Sequence, residues 1–154
     1  MAPVADETLK HRPYTSADEE AAIVLWQRSW QQAYPQLNFA TRVPWWRARW
    51  RDELVPAARI VIAEQNGALV GFITVDASGY LDQIVVAPEA WGTPVAGALL
   101  DEAKRISPTV LELLVNQDNE RAVRFYKKHG FAISGTDTNP RSGALLYRMH
   151  WQPK

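Results

Sequence analysis

Two hydrophobic rhythms divide the chain near residue 56. Before it, apolar residues mostly recur every three or four positions. After it, most of the apolar residues sit in short runs bounded by turn signals. In the first region, residues 9–14 predict a short strand, with Pro13 marking an edge or an end. Thr15-Ser16-Ala17-Asp18-Glu19-Glu20 predicts a helix start, a hydroxyl cap followed by acids at the positive end of the helix dipole. Ile23, Trp26, Trp30, Ala33 and Tyr34 then share one face, and Pro35 ends the helix. A second helix is predicted over about 44–54, where Trp46, Trp50 and Leu54 are four apart, with Pro56 closing it.

In the second region, strands are predicted over 59–64, 68–76 and 80–86, joined by Asn66-Gly67 and Ser78-Gly79. Residues 87–94 form a loop. Residues 95–106 predict a helix with Val95, Leu99, Ala103 and Ile106 inward, stopped by Ser107-Pro108. A strand-like run over 110–115 leads to a short helix capped by Asp118 or Asn119. On that helix Ala122, Phe125 and Tyr126 recur at helical spacing, Glu120, Arg121, Arg124 and Lys127 take the wet face, and Gly130 ends it. Strands over 131–136 and 144–151 complete the chain, and residues 1–8 are a loose lead-in. Helices between strands require crossovers, so part of the sheet is expected to be parallel and the class is α/β.

Composition narrows the function. A length of 154 residues predicts one domain over 1–154. Seventeen basic and seventeen acidic residues cancel, which gives a nucleic-acid or membrane-surface partner no support. There is no cysteine, so no disulfide, thiolate metal site or cysteine nucleophile arises from this chain. The longest uncharged apolar run, over 68–75, is too short to span a bilayer, and the acidic N-terminus lacks a secretory apolar segment. A cytoplasmic location is expected. His11, His129 and His150 are too dispersed for a metal site, and no metal is expected.

Candidate chemistry lies in two stretches. The strand over 80–86 runs through a Gly/Pro loop into a helix N-terminus, whose free N–H groups and partial positive charge suit phosphate. Gly92 allows close backbone approach, and Ala96 and Gly97 add almost no bulk to the first turn. The second stretch is the helix with Asn119 and Tyr126. Together, Val86-x-Pro88, Gly92-x-x-x-Ala96, Leu99-Leu100 and Asn116-x-x-Asn119-x-x-Ala122-x-x-Phe125-Tyr126-x-x-x-Gly130-Phe131 resemble the GCN5-related N-acetyltransferase (GNAT) superfamily. The resemblance is strong over 59–151 and looser before it. It implies a mixed, mostly antiparallel central sheet with a splayed strand pair, flanked by helices.

The resemblance also implies acetyl-CoA as co-substrate and direct acetyl transfer to an amine. The splayed strand end, Ile84, Val85 and Val86, would pair with the pantetheine arm. The loop and helix start, Gly92, Thr93, Pro94, Val95, Ala96 and Gly97, would hold the diphosphate. Asn119 would contact the cofactor, and Tyr126 would protonate the departing thiolate. The chemistry agrees: a backbone N–H suits the carbonyl oxygen that gains charge, and a phenol of pKa about 10 can donate locally. No protein nucleophile is required.

The sequence departs from the family pattern in the loop, where Trp91 stands for the usual Gln or Arg and Pro94 for the central glycine. Proline lacks an N–H, so the expected phosphate grip is weaker or rearranged. The general base is left open between Asp82, Glu112 and a water chain, the family's usual glutamate position being Leu114. Trp30, Tyr34, Trp45 and Trp46 are candidates to line the acceptor site, Trp30 and Tyr34 foremost. The acceptor is a small-molecule or peptide amine, and the resemblance allows a homodimer. Two alternatives remain: a module that binds acyl-CoA without turnover, and transfer of a longer acyl chain.

Overall fold

The computed structural model describes residues 8–154. The expected lead-in, Thr8 apart, and the N-terminal stretch tested for a secretory signal lie outside the described residues. The elements run β1 (Lys10–Pro13), α1 (Glu19–Ala33), α2 (Val43–Arg49), α3 (Val55–Ala57), β2 (Ala58–Gln65), β3 (Ala68–Asp76), β4 (Leu81–Val86), α4 (Val95–Ile106), β5 (Leu111–Asn116), α5 (Glu120–Lys128), β6 (Ala132–Thr138) and β7 (Leu145–Trp151). Single 3-10 turns precede α1, α2 and α4. Among the described residues no helix is long and apolar enough to cross a membrane.

Turn chemistry sets the first sheet. Asn66 and Gly67 both take positive φ, 55° and 75°, the twist that matches a two-residue hairpin, and they join β2 to β3. Strands β1-β2-β3-β4 are antiparallel neighbours in that order, and β5-β7-β6 form a second antiparallel sheet. Among the described residues the two sheets touch at one parallel bridge, Tyr80 to Glu112, where Glu112 N–H donates to Gly79 O at 3.0 Å. Beyond that bridge β4 and β5 part company. This is the splayed, mixed, mostly antiparallel arrangement the resemblance implies.

Helices cover both faces of the first sheet. On one face Trp50, in the helical segment after α2, meets Phe72 of β3 edge-on at 5.1 Å between ring centroids. On the other, α4 packs so closely that a Cβ at Gly71 would lie 2.9 Å from Leu99 Cδ1. Val123 and Tyr126 are the buried side chains of α5, so Val123 joins the apolar stripe, and Ala122 and Phe125 are half-buried.

The region around α2 differs from expectation. Pro56 does not close the helix. A wide turn over Trp50–Leu54 moves the Val55 N–H onto Trp50 O, five residues back, and Pro56 then enters where no N–H is needed. The helical segment ends at Ala57. Trp46, expected at the acceptor site, is instead 1 % exposed and stacked on Trp26 at 4.7 Å and 7°. It belongs to the core because it shares a helical stripe with Trp50, itself fully buried.

Gly79 controls the point where the sheets join. Its φ is +86°, and a Cβ there would lie 2.5 Å from Val110 O and 2.7 Å from Ser107 Oγ. We expect Gly79→Ala to lower unfolding free energy by about 2 kcal/mol or more, since strained φ and a backbone clash act together. Urea unfolding measures this; a change below about 0.5 kcal/mol would show that the junction relaxes freely.

Candidate active site

The site begins as an unpaired strand edge. Ala87 N–H donates to Val70 O at 2.8 Å, and Val85 pairs with Phe72. Because backbone groups alternate along a strand, Ile84 and Val86 turn theirs away from β3, into the gap left by β5. Val85, expected to act with them, directs its carbonyl toward β3 and its side chain into the core. Two donors hold the Val86 carbonyl: Ser29 Oγ at 2.7 Å and Trp91 Nε1 at 2.9 Å. The strand end is therefore fixed from α1 and from its own following loop.

A bulge aims the lower part of β4. Thr74 faces Gln83 and Val75 faces Leu81, so Asp82 is the extra residue. Its carboxylate meets Arg49 in a bidentate pair, at 2.9 and 2.5 Å, and accepts from Gln83 Nε2 at 2.9 Å. On β5 the half-buried residues Glu112, Leu114 and Asn116 alternate with the buried Leu111, Leu113 and Val115. Glu112 pairs with Arg148 at 3.1 Å, and Arg148 also reaches Asp137 at 3.0 Å. Both carboxylates considered as general bases are thus committed to arginines.

The loop after β4 is a partial cradle. Gly92 has φ +80°, and nothing lies within 4 Å of where its Cβ would be. Pro94 caps α4 with φ −67°, and Ala98 N–H makes its first bond, to Pro94 O at 2.9 Å. The preceding first-turn amides, on Ala96 and Gly97, are free of intrahelical partners by helix geometry. The Val95 N–H lies at 3.4 Å from Thr93 Oγ1. Thr93 does not present its hydroxyl outward: Oγ1 donates to Ala90 O at 2.5 Å. Nor is Gly97 fully bare, since His129 Cε1 lies 3.2 Å from its virtual Cβ. Burial, with Lys104 and Lys128 nearby, pushes His129 below its ordinary pKa and so toward the neutral form at pH 7. The donor set fits an anion through backbone amides, with no basic side chain in the loop.

Across the gap, Asn119 caps α5, its Oδ1 accepting from Ala122 N–H at 3.3 Å. Asp118, the other expected cap, accepts instead from Tyr34 Oη at 2.7 Å. Tyr126 is 8 % exposed, and its hydroxyl has no hydrogen-bond partner among the described residues. Burial pushes its pKa well above the usual phenol value, and the charge of Arg121 opposes that rise. Arg121 is exposed, as expected, and its guanidinium lies 4.0 Å over the Trp91 ring.

The acceptor side is aromatic. Trp30 and Tyr34 are half-buried and stacked at 5.8 Å. Tyr34 Oη also accepts from Asn116 Nδ2 at 3.0 Å, and burial with Asp118 pushes its pKa up to about 12. Trp45 carries Arg141, of the β6–β7 turn, at 4.0 Å over its ring. Sequence reasoning missed Ser29, Arg49 and Arg121. Only Ser29 left a signal, a small hydroxyl on the buried stripe of α1 one turn after Trp26.

Residues 30–153 match the family described as Acetyltransferase (GNAT) domain. The chain is 28 % identical to peptidyl-lysine N-acetyltransferase YiaC of Escherichia coli, over 85 % of this chain and 88 % of that one. It is 30 % identical to peptidyl-lysine N-acetyltransferase YjaB of Salmonella typhimurium, over 75 % and 78 %. The apo solution structure of E. coli YjaB superposes with TM-score 0.77 at 24 % identity, over 94 % of this chain and 97 % of that one. A PaiA N-acetyltransferase of Thermoplasma acidophilum, solved in complex with coenzyme A, gives TM-score 0.76 at 20 % identity, over 95 % and 99 %.

Pro94→Gly restores one N–H to the cradle and keeps a residue tolerated as a helix cap. Calorimetry should show coenzyme A binding several-fold tighter. Equal or weaker binding would mean that the remaining amides already complete the grip.

Proposed function

The chain belongs to the GNAT acetyltransferase family, and from that premise we propose that it carries an acetyl group from acetyl-CoA directly to a lysine side-chain amine in a protein or peptide. The observation that carries this reading is the parting of β4 from β5, which leaves the Ile84 and Val86 backbone facing a gap. An extended amide-bearing arm can pair there as an added strand would. The open cradle at Gly92 lies at one end of that edge. The choice of a lysine acceptor rests on the YiaC and YjaB relatives, both named as peptidyl-lysine acetyltransferases.

Each residue then has a task. Ile84 and Val86 align the pantetheine arm, and a backbone N–H of the same edge donates to the thioester oxygen as it gains charge. The Gly92 loop and the first amides of α4 face the diphosphate. Asn119, while capping α5, sits beside the arm. The acceptor nitrogen forms its bond to the acetyl carbon, the carbon–sulfur bond breaks, and Tyr126 gives its proton to the sulfur. Asp82 and Glu112 are engaged by Arg49 and Arg148, so the proton from the amine leaves through water. Trp30 and Tyr34 line the approach of the acceptor.

Tyr126 stays protonated throughout the working range because its pKa is raised. The rate should therefore rise with pH as the acceptor lysine, of ordinary pKa about 10.4, loses its proton, with no alkaline fall up to about pH 10. A fall between pH 7 and 9 would contradict the Tyr126 assignment. Tyr126→Phe should lower kcat by about a hundredfold and leave coenzyme A affinity nearly unchanged. Thiol release over a panel of lysine peptides and small amines tests the acceptor class. Turnover confined to small amines would overturn the peptide reading, and tight binding without thiol release from any amine would overturn catalysis itself.

A further inference from the structure

Arg121 is placed unlike its neighbours on α5. Arg124 reaches Glu120 at 3.9 Å on the exposed face. Arg121, though exposed, meets no carboxylate among the described residues, and partial desolvation lowers its pKa. The first turn of a helix is the wrong end for a cation. What holds it is the Trp91 ring, 4.0 Å from its Cζ. A cation–π contact positions an arginine without cancelling its charge, as a carboxylate would.

The location gives that charge a use. Trp91 is fixed by its indole N–H to Val86 O, on the gap side of β4, and Gly92 follows it. Arg121 comes from α5, the helix after β5. The pair therefore spans the mouth of the gap from wall to wall, next to a cradle that lacks a cation. Pro94 has no N–H, Thr93 has turned its hydroxyl inward, and His129 is pushed toward neutrality.

We infer that Arg121, held over Trp91, binds the diphosphate of coenzyme A and supplies from the opposite wall the positive charge that the loop lacks. A planar guanidinium suits two phosphate oxygens at once. The inference rests on acetyl-CoA being the acyl donor, as proposed above. It turns the loop's departure from the family pattern into a relocation of charge, since Trp91 stands where Gln or Arg is usual and recruits a cation from α5.

The test is calorimetric titration of wild type, Arg121→Gln and Arg124→Gln with coenzyme A and with 3′-dephospho-coenzyme A, and competition with pantetheine, which has no diphosphate. Arg121→Gln should weaken both nucleotide ligands by the same factor, about tenfold or more. It should leave pantetheine binding and the apo melting temperature unchanged, and Arg124→Gln should match wild type. Equal coenzyme A affinity in Arg121→Gln and wild type would overturn the inference. So would a loss seen with coenzyme A but not with its 3′-dephospho form, which would assign Arg121 to the 3′-phosphate. An equal loss for pantetheine would also overturn it, by showing that Arg121 merely clamps the loop. Failure of wild type to bind coenzyme A at all would instead strike the donor reading.

Discussion

An unpaired strand edge inside a folded chain is the constraint on which this structure depends. Backbone N–H and C=O groups removed from water need partners, and a bare edge invites the neighbouring strand to close over it. Here β4 and β5 run side by side, yet among the described residues the one bridge is Tyr80, just before β4, to Glu112. The Asp82 bulge turns β4 just beyond that point, and Arg49 secures the displaced carboxylate. At the far end, Ser29 and Trp91 occupy the Val86 carbonyl. The gap is thus pinned at its closed end and at its mouth, and the Ile84 backbone between them faces it.

The elements around this edge were largely legible in the sequence, for local reasons. Asn66-Gly67, Gly79 and Gly130 have the positive φ their turns require, and the α4 and α5 stripes follow helical spacing. Asn119 caps α5 by a bond to a residue three places on, which is a local event. Pro56 failed as a stop because a wide turn depends on how Trp50 packs under Phe72, and no pattern of neighbours in sequence encodes that.

The site was less legible because its decisive contacts join distant segments. Ser29 reaches Val86 across 57 positions, and Arg49 reaches Asp82 across 33. A carboxylate read alone is a candidate base; bound by both oxygens to an arginine, it is a strut. The tryptophans divided in the same way. Trp26 and Trp46 stack face to face in the core, whereas Trp30 and Trp45, on the same helices, remain at the surface and take Tyr34 and Arg141 as partners. Helical spacing gave the stripe of each residue but not the depth of the groove beside it.

Arg121 draws these threads together through its effect on Tyr126. Burial raises the phenol's pKa, which keeps the proton in place but makes its release harder; the Arg121 charge works in the opposite direction. Burial is the larger influence, so the hydroxyl remains protonated and able to donate. In the proposed reaction, a thiolate leaving into this apolar surrounding would itself be poorly solvated, so its affinity for a proton would also rise. Desolvation would therefore act on both partners, and the proposed transfer would not become uphill merely because the phenol is buried. Without ligand the Arg121 charge favours the phenolate; facing a diphosphate, as inferred above, that charge would be offset, and burial alone would set the phenol's hold on its proton.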